Sequence, residues 1–199
     1  MLYFTSDLHF GDELVLKYRR AFADVEQMEN GLIARWNETV TDDDTVIIVG
    51  DLFGRGSEPR LDIIREMRGK KILVKGNHDI SWLDEADKDE LCEVFSEICE
   101  VYRLEQGGVK IFVCHYPMIS WEGSKLGSLL VCGHMHARPD GYEHDMFMSV
   151  PLALNSGVDL NGFAPVTLSK LIENNDAFYG RQRGELEREI LSKAAEIFG

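Results

Sequence analysis

Lys71-Ile72-Leu73-Val74-Lys75-Gly76-Asn77-His78-Asp79 joins a short apolar run directly to three polar side chains. The run from Lys71 to Val74 has the length and composition of a buried strand. Asn77, His78 and Asp79 are poor core residues, so this stretch predicts a strand that delivers functional side chains at its carboxyl end.

Four other apolar runs end in the same way. They are Tyr3–Ser6 before Asp7-Leu8-His9, Val46–Val49 before Gly50-Asp51, Ile111–Cys114 before His115, and Leu129–Cys132 before Gly133-His134-Met135-His136. In open α/β sheets, sites form at the carboxyl ends of the strands. The five runs together therefore predict one site.

The composition predicts one ordinary globular domain spanning residues 1–199. Apolar residues make up 44% of the chain and charged residues 28%, and no apolar run approaches the roughly 20 residues that a membrane helix needs. The chain starts directly with a strand rather than with a signal peptide. We therefore expect a cytoplasmic protein without a membrane partner.

The net charge of −14 disfavours broad binding to nucleic acid or to anionic membranes, because like charges repel. A small phosphorylated ligand is still compatible with this charge, since a bound cation can invert the local field. The four cysteines form no C-x-x-C pair. Cys114 and Cys132 lie within apolar runs, so we expect buried, reduced thiols.

The order of elements predicts an α/β fold. Asp24 opens a helix with Met28, Leu32 and Trp36 on one face, and the helix after Asp51 returns the chain to a parallel neighbouring strand. An acidic helix is expected from about residue 85 to 100. The second half reads as short strands at 101–104, 110–114, 129–132, 153–155 and 166–171, then an amphipathic helix at 184–198 that could cover a sheet edge or mediate homo-oligomerisation. This order suggests two sheets packed face to face with helices outside.

Five of the six histidines lie at the ends of the strand-like runs, and only His144 lies elsewhere. Imidazole and carboxylate ligands suit first-row divalent ions, and the lack of cysteine ligands disfavours a structural zinc knuckle. Seven candidate ligands exceed the needs of one ion, but a bridging carboxylate would give two ions four protein ligands each. The seven are Asp7, His9, Asp51, Asn77, His115, His134 and His136.

These motifs, in this order and at this approximate spacing, resemble the calcineurin-like metallophosphoesterase superfamily, and in particular its small single-domain bacterial and phage-type phosphoesterases. The resemblance covers residues 7–136. It implies a four-layer α/β/β/α sandwich of two mixed sheets flanked by helices, with a dinuclear metal centre. Manganese, iron, zinc and nickel all suit the ligands, and we favour manganese.

The resemblance also implies a role for each matching residue. Asp7, His9 and His136 would hold the first ion, Asn77, His115 and His134 the second, and Asp51 would bridge them. His78 and Asp79 would be the catalytic residues. His78 would contact the scissile phosphate, and Asp79 would orient His78 through a hydrogen bond.

The leading hypothesis is a phosphoesterase acting on a phosphodiester or phosphomonoester of a small metabolite or nucleotide. A metal-bridging hydroxide would attack phosphorus in line while protonated His78 assists the leaving oxygen. Nuclease activity is an alternative that the acidic charge disfavours. A protein-binding scaffold with vestigial catalysis, like the retromer subunit that shares this fold, is the alternative from a different class.

Some positions depart from relatives or stay open. Gly54 replaces the second Asp of a Gly-Asp-x-x-Asp-Arg-Gly loop, and Asp12 stands where relatives carry a histidine. Arg55 is either a phosphate contact or a solvated loop residue. Tyr116 and Trp121 either line the substrate pocket or pack in the core.

Overall fold

Two four-stranded sheets form the centre of the molecule in a computed structural model that describes residues 1–19 and 21–198. The strands are β1 (Leu2–Thr5), β2 (Thr45–Val49), β3 (Lys70–Val74), β4 (Glu97–Cys99), β5 (Tyr102–Gln106), β6 (Val109–Val113), β7 (Leu129–Cys132) and β8 (Ala153–Asn155). The first sheet runs β1-β2-β3-β4 with all neighbours parallel, and an antiparallel bridge joins Phe4 to Val166. The second runs β5-β6-β7-β8, with β5 antiparallel to β6 and the other neighbours parallel. β2 and β3 are parallel neighbours, as the strand-helix-strand pattern predicted.

Seven α-helices surround the sheets in the described part of the chain. They are α1 (Val25–Thr39), α2 (Leu61–Glu66), α3 (Asp79–Glu85), α4 (Lys88–Val94), α5 (Tyr142–Met148), α6 (Leu168–Tyr179) and α7 (Glu185–Phe198). The predicted start of α1 is confirmed, because the Asp24 side chain accepts a hydrogen bond from the Gln27 N–H at 2.8 Å. None of the described helices is both long enough and apolar enough to cross a bilayer.

The alternation of side chains along each strand builds the layers. On the first sheet, Phe4 and Ile47 face the second sheet. Val46 and Ile48 face the opposite way, toward the outer helices, and lie in the same cluster as Trp36 of α1. The outer face of the second sheet packs against helices α5 and α6, through Phe147 and Tyr179 respectively. The four-layer α/β/β/α sandwich expected from the sequence is therefore confirmed.

Two predicted elements are wrong. The strand expected at 166–171 reduces to the Val166 bridge, because Thr167 caps α6 and the helix buries Leu168 and Leu171. The acidic helix expected at about 85–100 divides into the end of α3, then α4, then β4. Asp87 accepts hydrogen bonds from two backbone N–H groups and starts α4 anew, and β4 then pairs with β3.

The two C-terminal helices close the core away from the motifs. α6 contacts both β1 and β8, and α7 contacts α6 and β6. Leu191, Ala194 and Phe198 of α7 are buried in the cluster between the sheets. The amphipathic helix therefore covers the protein's own core on this face.

Leu129→Ala is expected to lower the free energy of unfolding by about 2–5 kcal/mol, because Leu129 is fully buried between the sheets and its truncation leaves a cavity. Urea denaturation measures the change. Leu126→Ala is the matched control: Leu126 is 91% exposed three residues earlier, and its truncation should change stability by less than about 0.5 kcal/mol. Equal effects of the two substitutions would contradict the assigned core.

Candidate metal centre

The carboxyl ends of β1, β2, β3, β6 and β7 meet at one end of the sandwich and bring the candidate ligands together. Donor atoms of Asp7, His9 and His136 lie within 4.8 Å of one another. Donor atoms of Asp51, His115 and His134 form a second such group. The first group contains the three residues implied for the first ion. The second contains His115 and His134, which the resemblance implies for the second ion, together with Asp51, the implied bridge.

Asp51 belongs to the second group and also approaches the first. Its Oδ2 atom is 3.7 Å from Nε2 of His9 and 3.4 Å from Nε2 of His115. Asn77 joins the second group, with its Oδ1 atom 3.2 Å from the same His115 nitrogen. One carboxylate oxygen thus faces a histidine of each group, the placement required of a bridging ligand.

His78 lies beside both groups. Its backbone N–H donates to Asp51 Oδ1 at 2.9 Å, and its Nε2 atom is 3.9 Å from Asp51 Oδ2. His9, Asp51 and His78 also satisfy the distances of a metal site. The geometry therefore offers His78 two roles, as a ligand or as a residue that faces the substrate.

Left-handed backbone conformations concentrate at the candidate ligands. Six non-glycine residues of the described chain have a positive φ, namely Phe163 and five of the seven candidate ligands. The five are Asp7 (57°), His9 (52°), Asp51 (55°), His134 (71°) and His136 (53°). Each such conformation costs an L-residue of this kind roughly 1–2 kcal/mol, and such strain clusters at functional sites. These conformations lower the stability of the fold, but they direct the five side chains toward a common point.

The ring nitrogens of His9 indicate that the site suits a cation. His9 is buried, yet neither ring nitrogen makes a hydrogen bond within the described residues. Its Nδ1 atom lies 3.5 Å from Asp12 Oδ2, and its Nε2 atom faces Asp51. A buried polar atom without a partner costs about 1–3 kcal/mol. A divalent ion at Nε2 would remove part of this cost, so the residues fit the implied metals.

His115 is oriented by the backbone of β2. Its Nδ1 atom donates to the Val49 carbonyl oxygen at 2.8 Å, which leaves Nε2 directed at Asp51. Burial alone would lower the pKa of His115, but the nearby Asp51 and Asp7 carboxylates raise it to about 9. Burial likewise opposes ionisation of Asp51, yet His115 lowers the pKa of Asp51 to about 2. These opposite pKa shifts favour a protonated His115 beside an ionised Asp51, so a cation bound at Nε2 of His115 would replace a proton there.

Asp79 does not orient His78, so that predicted hydrogen bond is wrong. The buried Asp79 carboxylate instead accepts four hydrogen bonds at 2.8–3.0 Å, from the N–H groups of Asp51, Leu52 and Gly76 and from Nε1 of Trp82. Burial raises the pKa of Asp79, and these donors oppose the shift. Asp79 therefore ties the loops after β2 and β3 together and fixes the backbone that carries Asp51.

Gly76→Ala is expected to displace Asp51. A Cβ atom at Gly76 would overlap Asp51 Oδ1 and lie 2.6 Å from the Asp51 backbone nitrogen, which cannot move freely. We expect metal content, measured by elemental analysis, to fall clearly below that of the wild type. Gly56→Ala is the control, because a Cβ there meets nothing within 4 Å although φ is +75°. Full metal content in Gly76→Ala would show that Asp51 tolerates the crowding.

The two departures from relatives are in contact. A Cβ atom at Gly54 would overlap Cβ of Asp12, so the acidic side chain from the loop after β1 occupies space beside the loop after β2. Tyr116 borders the site: it is 43% exposed and its ring lies 5.2 Å from those of His115 and His134.

The other positions that the sequence left open have different surroundings. Trp121 packs against core residues and donates to the Ser128 carbonyl oxygen at 3.1 Å, which is ordinary packing. His144 pairs loosely with Asp145 and packs on Tyr179, and it belongs to neither ligand group. Arg55 is exposed in the loop after β2.

Sequence reasoning missed Arg19 and Asp159. Asp159 Oδ2 lies 3.0 Å from Nδ1 of His136, and Asp159 Oδ1 pairs with Nε of the buried Arg19. Asp159 follows β8, outside every motif, and Arg19 lies in a weakly patterned segment. Only the contact itself identifies them.

Comparisons with known proteins show which family the chain resembles. The profile of the calcineurin-like phosphoesterase family matches residues 2–160. An uncharacterized protein of Methanocaldococcus jannaschii is 27% identical over 176 residues, covering 86% of this chain and 89% of that protein. The Gene 66 protein of Mycobacterium phage L5 is 29% identical over 159 residues, covering 68% and 77% of the two chains.

Among solved structures, a protein of unknown function from Aquifex aeolicus superposes with a TM-score of 0.64 at 26% identity, covering 83% of this chain and 94% of that chain. The family profile extends over well more than half of the chain and includes every residue of both ligand groups. The chain therefore belongs to the calcineurin-like phosphoesterase family of metal-dependent phosphoesterases.

Proposed function

We propose that this protein hydrolyses phosphodiester or phosphomonoester bonds of small phosphorylated compounds or nucleotides at a dinuclear centre. The observation that carries the proposal is the position of Asp51, whose Oδ2 atom faces a histidine of each ligand group. A single carboxylate shared by two donor groups is the arrangement expected for paired ions.

The proposed ligand sets follow the two groups. Asp7, His9 and His136 hold the first ion, Asn77, His115 and His134 the second, and Asp51 bridges them. When bound, two divalent ions supply the positive charge that polarises a phosphoryl group and activates water for in-line attack. Imidazole and carboxylate donors suit manganese, our first choice, as well as iron, zinc and nickel.

The chain itself sets the charge of the site. Asp7 and Asp51 are the carboxylates among the seven candidate ligands, so they offset only part of the charge of two divalent ions. The neutral Asn77 completes the second set without further negative charge. The centre therefore stays attractive to an anionic phosphate even though the whole protein carries a net charge of −14.

We propose that His78 contacts the phosphate and gives a proton to the leaving oxygen. Its side chain is 22% exposed, and the hydrogen bond that its backbone N–H donates to Asp51 holds it at the edge of the centre. Burial lowers the pKa of His78, and the negative charge of Asp51 only partly opposes this shift. A bound phosphate adds the further negative charge that favours the protonated imidazole.

The test is a comparison of matched chromogenic phosphate monoesters and diesters with the same leaving group. The protein is stripped with a chelator and reconstituted separately with manganese, iron, zinc or nickel. We expect turnover of at least one ester with metal and none after chelation. Two bound ions without turnover of either ester would reject the proposal and favour the binding scaffold.

We further propose that residues 1–199 act as one calcineurin-like phosphoesterase domain. The support is that α6 and α7, which lie beyond the family match, pack into the cluster between the sheets.

The cysteines are free thiols, which suits the reducing compartment expected from the sequence.

A further inference from the structure

We infer that Arg19 and Asp159 are positioning residues that prepare the Asp7, His9 and His136 group for its ion. The inference rests on the proposed metal centre. Neither residue belongs to the motifs at the strand ends, and both reach the group from other parts of the chain.

Asp159 orients His136. Its Oδ2 atom lies 3.0 Å from Nδ1 of His136, and both side chains are largely buried. A proton on Nδ1 donated to this carboxylate leaves the lone pair of Nε2 free for a cation. The carboxylate also increases the basicity of the imidazole, which strengthens it as a ligand.

Arg19 holds Asp159 in turn. Its side chain is fully buried, and its Nε atom is 2.5 Å from Asp159 Oδ1. A buried guanidinium requires a paired charge, because removal from water is costly without one. Asp159 supplies that charge and is thereby fixed at both carboxylate oxygens, one on Arg19 and one on His136.

Arg19 also holds the loop after β1. Its Nη1 donates to the Leu8 carbonyl oxygen at 2.7 Å, and its Nη2 donates to the carbonyl oxygen of Asp7. Asp7 and His9 adopt left-handed backbone conformations in this loop. Arg19 therefore connects all three ligands of the first group: two through their loop and His136 through Asp159.

The second group is oriented differently. His115 is fixed by the Val49 carbonyl of β2, and Asp51 by the backbone N–H of His78. Loss of Asp159 should therefore weaken one ion selectively. That selectivity separates positioning from a general loss of structure.

Asp159→Asn in the full chain tests the inference. We expect binding of one ion to weaken about 10–100-fold while the other ion keeps its wild-type affinity. The measurements are calorimetric titration with Mn²⁺ and the visible absorption spectrum of the Co²⁺-substituted protein, in which only one of the two sites should change.

A double variant separates metal binding from folding. Asp159→Asn leaves the charge of Arg19 uncompensated, whereas Arg19→Met with Asp159→Asn removes both charges. We expect the double variant to recover part of the stability in urea. Its loss of affinity at the first group should be at least as large as in Asp159→Asn, because it also lacks the Arg19 hydrogen bonds to the loop after β1.

Asp176→Asn is the matched control. It breaks a second pair with a buried arginine, in which Arg183 Nε is 2.7 Å from Asp176 Oδ1, and neither residue belongs to a ligand group. This change should lower stability and leave both metal affinities unchanged. Wild-type affinity for both ions in Asp159→Asn, or equal weakening of both, would overturn the inference. Because the readout is binding, a wild-type protein that binds two ions but cleaves no ester would reject the proposed function alone.

Discussion

Asp51→Asn is expected to reduce ester turnover at least about a thousandfold, equivalent to roughly 4 kcal/mol of transition-state stabilisation, and to lower metal content. Asparagine has the shape of aspartate but is neutral and has a single side-chain oxygen. The lost charge lies between His9 and His115, within 3.7 Å of a nitrogen of each. Both proposed ions would lose the ligand that they share.

The measurements for Asp51→Asn are turnover of the best chromogenic ester and elemental analysis of bound metal. Asp43→Asn is the control, since Asp43 is an exposed carboxylate in the turn before β2 and its neutralisation should change neither quantity. Wild-type metal content together with wild-type turnover in Asp51→Asn would rule out a bridging role.

His78→Ala is expected to lower kcat about 10²–10⁴-fold while metal content stays near that of the wild type. The reason is that His78 borders Asp51 but, in the proposed role, faces the phosphate rather than an ion. His144→Ala is the matched control, since His144 belongs to neither ligand group and its loss should leave kcat unchanged.

Leaving-group dependence sharpens the test of His78. An alkyl ester needs a proton on its leaving oxygen far more than a nitrophenyl ester does. The loss in His78→Ala should therefore be larger for the alkyl ester. Loss of bound metal in this variant would instead identify His78 as a ligand, the alternative that its distances to His9 and Asp51 also allow.

The predictable part of the fold was its apolar strand runs. β1, β2, β3, β6, β7 and β8 lie where short apolar runs predicted strands, because most of these strands are buried on both faces and so are almost continuously apolar. β5 matches the strand predicted at 101–104. β4 was missed within an acidic stretch, since its pairing with β3 depends on a neighbour far away in sequence. α6 was missed because the spacing of Val166 and Leu168 fits a strand, whereas Leu168 and Leu171 lie on one face of a helix that begins at the Thr167 cap.

By itself the sequence determined which residue types reach the end of the sandwich, because a motif that directly follows a strand is carried to that strand's end. Only the tertiary structure decided that Asp51 faces both ligand groups, that Asp79 binds backbone N–H groups rather than His78, and that Arg19 reaches Asp159 across 140 positions. Such contacts depend on how separate loops approach one another in space. They leave no periodic signal along the chain, so local patterns cannot predict them.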